Sequence, residues 1–347
     1  MYIKRILLAI LVIGLLAGGV FAYMVYNVFF TPNTAFNNTE AFVYIPTHAS
    51  FNDVKSSLEP LLTDLDAFES AAKRKGYVQN IRGGKYRILI GMTNNDIINT
   101  LRVNNIPVKV AFNNQERVHD LAGRISSQIE ADSLSLLRVF TDNEFLKSNG
   151  FDEANQLSLY IPNSYEFFWN TSAEGFRERM LKEYQKFWNE NRTEKAKTLG
   201  LKPNEVITLA SIVHKESAKV DERPRVAGVY LNRLKAGMLL QADPTLIFGM
   251  KKKADDFSLV IKRVLYKDFE LESPYNTYKY GGLPPGPITM PDISAIDGVL
   301  NAEKHNYYYF VANVENFGYH MFAEDLAQHN RNKAQYIRWI NSKNINR

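Results

Sequence analysis

Hydrophobic and polar positions fall into three regimes along this chain. The first is an uncharged run, "ILLAILVIGLLAGGVFAYMVYNVFF" at residues 6–30, preceded by Lys4 and Arg5. At about 1.5 Å per residue, a helix of that length crosses a hydrocarbon core of roughly 30 Å. The second regime, residues 41–150, repeats a strand–cap–helix theme. "AFVYIP" reads as a strand, and "SFNDVKSSLEPLL" as a helix with Ser50 and Asp53 in capping-box spacing. "KYRILI" (85–90) and "TNNDIINTLRVN", with Thr93 and Asp96, repeat the pair. "VKVAFN" (108–113) and "ERVHDLAGRISSQI" repeat it again. The third regime has helical period. "AEGFRERMLKEYQKFWNENRTEKAKTLG" (173–200) predicts one long charged helix ending at Gly200. A second helix starts near Pro203 and stops near "VDERPR", and Pro224 opens a third, "RVAGVYLNRLKAGM", ending at Gly237.

One residue is out of place in this pattern. Val206, Leu209, Val213, Glu216 and Val220 share one helix face. A carboxylate on a buried face costs free energy unless it is paired or protonated. Glu216 lies before a break between two helices, where a cleft can open with apolar backing. Desolvation there raises a carboxyl pKa and makes a proton donor near neutral pH. A helix-edge Glu whose stem packs while its head reaches water fits the same spacing. Asp221 and Glu222 read as first-turn residues of the next helix, and Lys215 and Lys219 as solvated.

Charge and composition narrow the setting. Lys4 and Arg5 on one side of the apolar run mark the cytoplasmic end, which puts the body outside a cytoplasmic membrane. The run continues past the "VFA" that could end a signal peptide, which favours an uncleaved single-pass anchor. "TPNTAFNNTE" then reads as a polar linker. The net charge of +5 suits a membrane surface or an anionic wall polymer. Interspersed acids and the lack of RNA-binding or zinc-finger motifs argue against nucleic acid. With no cysteine there are no disulfides, thiolate metal sites or Cys nucleophile.

Other chemistry is thinly represented. The six His are scattered, no H-E-x-x-H occurs, and His320 with His329 lacks a third zinc ligand, so neither metal nor cofactor is expected. No phosphate-binding glycine loop or nucleophile elbow is present. "GGLPPGPI" is glycine-rich, but its prolines lack the N–H groups that cradle phosphate, and it reads as a stiff loop. The aromatic cluster in "SLYIPNSYEFFWNTS", with Tyr160, Tyr165, Phe167, Phe168 and Trp169, serves equally as a sugar-stacking surface or as core.

Two resemblances complete the reading. "GKYRILIGMTNNDIINTL" resembles the strand–turn–helix of LysM-like domains, which implies a glycan-binding module where a spacer is the plain alternative. "LASIVHKESAKVDERPRVAGVYLNRLKAGMLLQADPTLIFGM", "SPYNTYKYGGLPPGPI" and "YYYFVANVENFGYHMFAEDLAQHN" resemble, in order, the endolytic murein transglycosylases, the MltG-type, YceG-like family. The expected fold class is α+β: a cytoplasmic tail at 1–5, a transmembrane helix at 6–30, a linker at 31–40, a small LysM-like α+β region at 41–150, and a mixed α+β YceG-like catalytic domain at 151–347.

The resemblance implies a lyase that cuts peptidoglycan strands internally between N-acetylmuramic acid and N-acetylglucosamine. The C6 hydroxyl of the sugar displaces the leaving group and leaves a 1,6-anhydro end. The family's catalytic Glu, in an E-K-E-T stretch, corresponds to Glu216 in "HKES". His214 and Ser217 depart from that stretch; the first favours Glu216 as the acid and the second keeps a hydroxyl. Asp243 is either a cleft residue that assists Glu216 or a turn cap. Gln241 and Asn276 are candidate partners for N-acetyl groups, Tyr275 and Tyr278 for sugar faces. Thr277, in the substrate-binding set, also shapes the loop with Gly282, Leu283, Pro284 and Pro285. Expected partners are glycan strands, the membrane and peptidoglycan synthases.

Overall fold

The computed structural model describes residues 2–261 and 263–342. It divides into two compact units. The first comprises Met1–Val110, Gln128–Ala131 and Tyr165–Ser172, and the second the remainder.

The first unit opens with α1 (Tyr2–Phe30), a 29-residue apolar helix with no buried residue. That length is about 43 Å, sufficient to cross a membrane with tilt. Beyond it come β1 (Glu40–Ile45), α2 (Phe51–Leu58), α3 (Leu65–Arg74), β2 (Gly84–Leu89), α4 (Asn94–Val103) and β3 (Pro107–Phe112). β1 and β2 pair antiparallel with Phe42 opposite Arg87 and Tyr44 opposite Lys85. Val43, Ile45, Tyr86 and Ile88 turn inward from this ribbon onto Val54, Leu58, Phe68, Ile97 and Leu101. The two capping boxes form as the sequence predicts, Ser50 with Asp53 and Thr93 with Asp96. β3 pairs with β4 (Asn163–Phe168).

Composition predicts a short polar linker at residues 31–40, and in the structure this stretch is hydrogen-bonded to the first unit. Asn33 is buried; its amide donates to Asp64 O and Asn94 Oδ1, both at 2.7 Å, and accepts from Asp64 N at 2.7 Å. Asn94 in turn donates to Val28 O at 2.8 Å, and Val28 and Phe29 pack against the core. A buried amide whose groups are all paired is a strong local tie, so the end of α1 and this unit are one body.

The second unit is mainly helical: α5 (Val118–Ser126), α6 (Ser133–Phe140), α7 (Asn143–Ser148), α8 (Ala173–Phe187), α9 (Glu190–Thr198), α10 (Pro203–Glu216), α11 (Arg223–Lys235), α12 (Asp243–Ala254), α13 (Ile293–Leu300) and α14 (Leu326–Ser342). One antiparallel hairpin, β5 (Tyr309–Ala312) with β6 (His320–Ala323), completes it. The predicted helix over 173–200 is two helices. Trp188 turns into the core and Asn189 caps α9, accepting from Arg192 N at 3.0 Å; a side chain that supplies its own cap competes with helix continuation. Tyr160 and Phe167 of the aromatic cluster are buried, whereas Phe168 is exposed.

α10 is the spine of this unit. Every residue from Val206 to Val213 is buried, against α11 and α13 among others. Its apolar face does not reach Val220, which is exposed. The helix ends at Glu216 because Ser217 turns extended: its hydroxyl donates to Glu222 Oε2 at 3.0 Å and accepts from Lys219 N at 3.1 Å.

Candidate active site

Glu216 is the last residue of α10. Its side chain is half-buried, and Tyr230 of α11 donates its hydroxyl to Oε1 at 2.9 Å. Burial pushes the Glu216 carboxyl up to about 7. The Tyr230 hydrogen bond, His320 and Arg233 oppose that rise, and the Asp243 carboxylate adds to it. The negative end of the α10 dipole acts in the same direction as burial. Such a group is a proton donor that is half ionised near neutral pH, as general acid–base work requires.

Tyr230 is fully buried, and burial together with Glu216 keeps its hydroxyl protonated, with a pKa well above the ordinary phenol value. Phe310 of β5 stands edge-on to its ring at 5.9 Å. Arg233, one turn further along α11, donates to Leu240 O at 2.7 Å and to Tyr308 O at 2.6 Å, so it holds the segment before α12 and the hairpin together.

The segment carrying the other expected residues divides by burial. Asp243 is exposed at the first position of α12 and accepts a hydrogen bond from the Tyr278 hydroxyl. Gln241 is exposed, with a positive φ of 50°, and donates its N–H to Thr277 O at 3.0 Å. Tyr278 is half-buried, its ring 4.4 Å from that of Phe269.

Three of the residues expected to contact substrate are buried in this structure. Tyr275 packs into the core, its ring 4.7 Å from that of Phe248. Asn276 is fully buried, with its amide donating to Phe269 O at 2.8 Å and Leu271 O at 2.9 Å. Thr277 is also buried, accepting from Ala242 N at 3.0 Å and bonding Thr245 Oγ1 at 2.8 Å. Asn276 and Thr277 therefore spend their polar atoms on the loop and present Tyr278 beside Asp243. Leu283, Pro284 and Pro285 border a cavity of about 790 Å³ at the opposite end of α10, with Phe151, Tyr184 and Pro203. No residue around Glu216 lines that cavity.

The profile of the YceG-like family matches residues 43–335. The chain belongs to the YceG-like family. It is 29% identical to the endolytic murein transglycosylase of Bacillus subtilis (strain 168), over 95% of this chain and 93% of that protein. It is 28% identical to the endolytic murein transglycosylase of Streptococcus pneumoniae serotype 2 (strain D39), over 92% of this chain but only 63% of that longer protein. The crystal structure of a YceG-like protein from Listeria monocytogenes superposes with a TM-score of 0.55 at 26% identity, covering 85% of this chain and 99% of that one.

Several residues that shape this family member's site carry no local sequence signal. Tyr230 reads as an ordinary aromatic of α11. Glu222 reads as a first-turn acid; instead it is the N-cap residue, buried, and accepts from His320 N at 2.7 Å. Lys215 is exposed, as its position predicts, and pairs with Glu116 at 2.8 Å; Lys251 reaches the same carboxylate at 2.9 Å. Lys219 lies over the Tyr319 ring at 4.9 Å.

Proposed function

We propose that this chain is a membrane-anchored endolytic transglycosylase that cleaves the bond between N-acetylmuramic acid and N-acetylglucosamine inside peptidoglycan strands and leaves 1,6-anhydro ends. The observation that carries the reading is the environment of Glu216, a half-buried acid with a pKa of about 7 and a phenol donor on Oε1, in a chain of this family. Protonated Glu216 gives its proton to the bridging oxygen. The resulting carboxylate then accepts the proton of the C6 hydroxyl as that oxygen closes on C1, so the acid returns to its starting state without water. A group poised between its two forms serves both steps.

Tyr230 holds Oε1, which leaves Oε2 to exchange the proton. Asp243 and Tyr278, with Gln241 beside them, are the expected polar contacts to the sugar; Tyr275, Asn276 and Thr277 support them from below. α1 tethers the enzyme with its body on the extracytoplasmic side and Lys4 and Arg5 on the cytoplasmic side. The first unit, with its LysM-like strand–turn–helix, binds or spaces the strand close to the membrane. Glycan-polymerising synthases are the expected neighbours, because an enzyme that terminates strands at the membrane works on their product.

A hydrolase of the same bond is the second reading, favoured by Asp243, a carboxylate close enough to act electrostatically on Glu216. Ordinary glycosidases use such a pair, one acid and one base for water. Mass spectrometry of digested glycan strands separates the two. Anhydro ends released by wild type and lost in Glu216→Gln support the transglycosylase, and reducing ends support the hydrolase. Identical products from wild type and Glu216→Gln would overturn both.

A further inference from the structure

Glu222 is a buried ionisable group that the proposed chemistry does not use. Its side chain is only 2% exposed. Oε1 accepts from His320 N at 2.7 Å, and Oε2 lies 2.8 Å from His320 Nδ1 and 3.0 Å from the Ser217 hydroxyl that donates to it. Burial disfavours the carboxylate, but the bonds from His320 and Ser217 more than offset this and hold Glu222 below the ordinary carboxylate range. A buried, ionised acid with three partners is costly to build for packing alone.

Its partners are informative. Ser217 immediately follows Glu216 and ends α10. His320 opens β6, with its ring 4.9 Å from that of Phe310, the residue that stands against Tyr230. One carboxylate thus ties together the residue after the acid and the hairpin that backs the acid's hydrogen-bond donor. Arg223 reinforces the same turn, donating from Nε to Ser217 O at 3.1 Å and from a terminal nitrogen to Asp292 Oδ1 at 2.7 Å.

We propose that Glu222 and His320 act as one positioning pair for the transglycosylase site, clamping the β5–β6 hairpin against the end of α10 that carries Glu216. The pair holds Glu216 and Tyr230 in register, and it places the His320 ring near the acid. The charged and titratable groups facing Glu216 are Tyr230 and Arg233 from α11, Asp243 from α12, Tyr278 from the loop after it, and His320 from β6. Facing His320 are Glu222 from the start of α11 and Glu216 from α10, with Phe310 and Phe322 as its aromatic neighbours. His320 lowers the Glu216 pKa, opposing burial. Replacing it with an uncharged side chain therefore raises that pKa and moves the alkaline limb of the rate profile upward.

This inference rests on the function proposed above, and the experiment separates the two. Full-length protein in detergent is assayed on purified glycan strands for anhydro ends, as wild type, Glu222→Gln, His320→Gln and the double variant. Each is melted in parallel to give the folded fraction. If wild type forms no anhydro ends, the functional reading fails and the clamp with it. If wild type is active, the expected result per folded molecule is a roughly 10–100-fold fall in kcat for each single variant, the scale of a misplaced catalytic group. KM stays within about twofold, because ground-state binding is not the target. The double variant is no worse than the poorer single, as expected for residues that act as one unit. His320→Gln also moves the alkaline limb upward. Independent, additive effects, or an unmoved limb with activity that follows the folded fraction, would assign Glu222 and His320 to structure alone and overturn the proposal.

Discussion

Glu216→Gln should stabilise the folded protein, and the gain should depend on pH. Burial lifts the Glu216 pKa from 4.5 to about 7. Below pH 4.5 the group is protonated in both folded and unfolded chains and contributes nothing. Between 4.5 and 7 the unfolded chain releases a proton that the folded chain keeps, so stability falls as pH rises. Above 7 both states are ionised and the full cost is present, about 3 kcal/mol for a rise of this size. Gln keeps an oxygen for the Tyr230 hydroxyl and has no charge to desolvate. Comparing the variant with wild type at pH 4 and at pH 8 cancels every pH-independent effect of the substitution. The gain at pH 8 should exceed that at pH 4 by about 3 kcal/mol, which at ~2–4 °C per kcal/mol for a domain of this size is several degrees in Tm. Thermal melts in detergent at the two pH values provide the measurement. Equal shifts at both, or a larger gain at pH 4, would show that Glu216 is not a desolvated acid and would remove the physical basis for its role.

The remaining predictions concern the acid's neighbours and the anchor. Tyr230→Phe removes a hydrogen bond to a charged group, worth about 1.5–3 kcal/mol, and kcat should fall by about 10–100-fold while the alkaline limb moves up, because that bond lowers the Glu216 pKa. Asp243→Asn removes a like charge that raises the Glu216 pKa, so the alkaline limb of a rate profile should move down; a limb that stays in place would separate Asp243 from the site. Asn33→Ala leaves the buried Asn94 amide oxygen without its Asn33 partner, at a cost of about 1–3 kcal/mol, and removes two part-buried bonds to the Asp64 backbone; limited proteolysis should then cut between α1 and β1, where wild type resists.

What could be read from the sequence follows from how local each cause is. Capping boxes lie within a few residues, so Ser50–Asp53 and Thr93–Asp96 were visible and formed. The 3.6-residue period placed Glu216 on the buried side of α10, but it carried that face too far, to Val220, because the end of the helix is set by Ser217 bonding to Glu222. Residues 31–40 look like a linker by composition, since nothing in an Asn-rich stretch announces that one amide will be buried and fully paired. Tyr275 and Tyr278 are indistinguishable as text. One packs on Phe248 and the other reaches Asp243, a difference decided by a loop that Asn276 holds through two main-chain carbonyls.

The same distinction explains why one carboxylate could be identified from the sequence and the other could not. An acid that works by desolvation must interrupt an apolar face, and that interruption is a pattern in sequence. An acid that works by pairing needs its partners only in space. Glu222 gains its partner from His320, which arrives from a hairpin almost 100 residues later, so "VDERPR" looks like any acidic helix start. Burial of Glu222 without those bonds would protonate it or pull it to the surface. The two acids, one buried and one half-buried, therefore respond to His320 in opposite ways. Glu222 stays charged because β6 closes on it, and Glu216 stays near neutrality although His320 on that strand draws it toward ionisation. Loss of the His320 bonds would leave Glu222 uncompensated and would remove one of the groups that lower the Glu216 pKa. The acid strength of Glu216 thus depends on His320 of the hairpin as well as on burial at the end of α10.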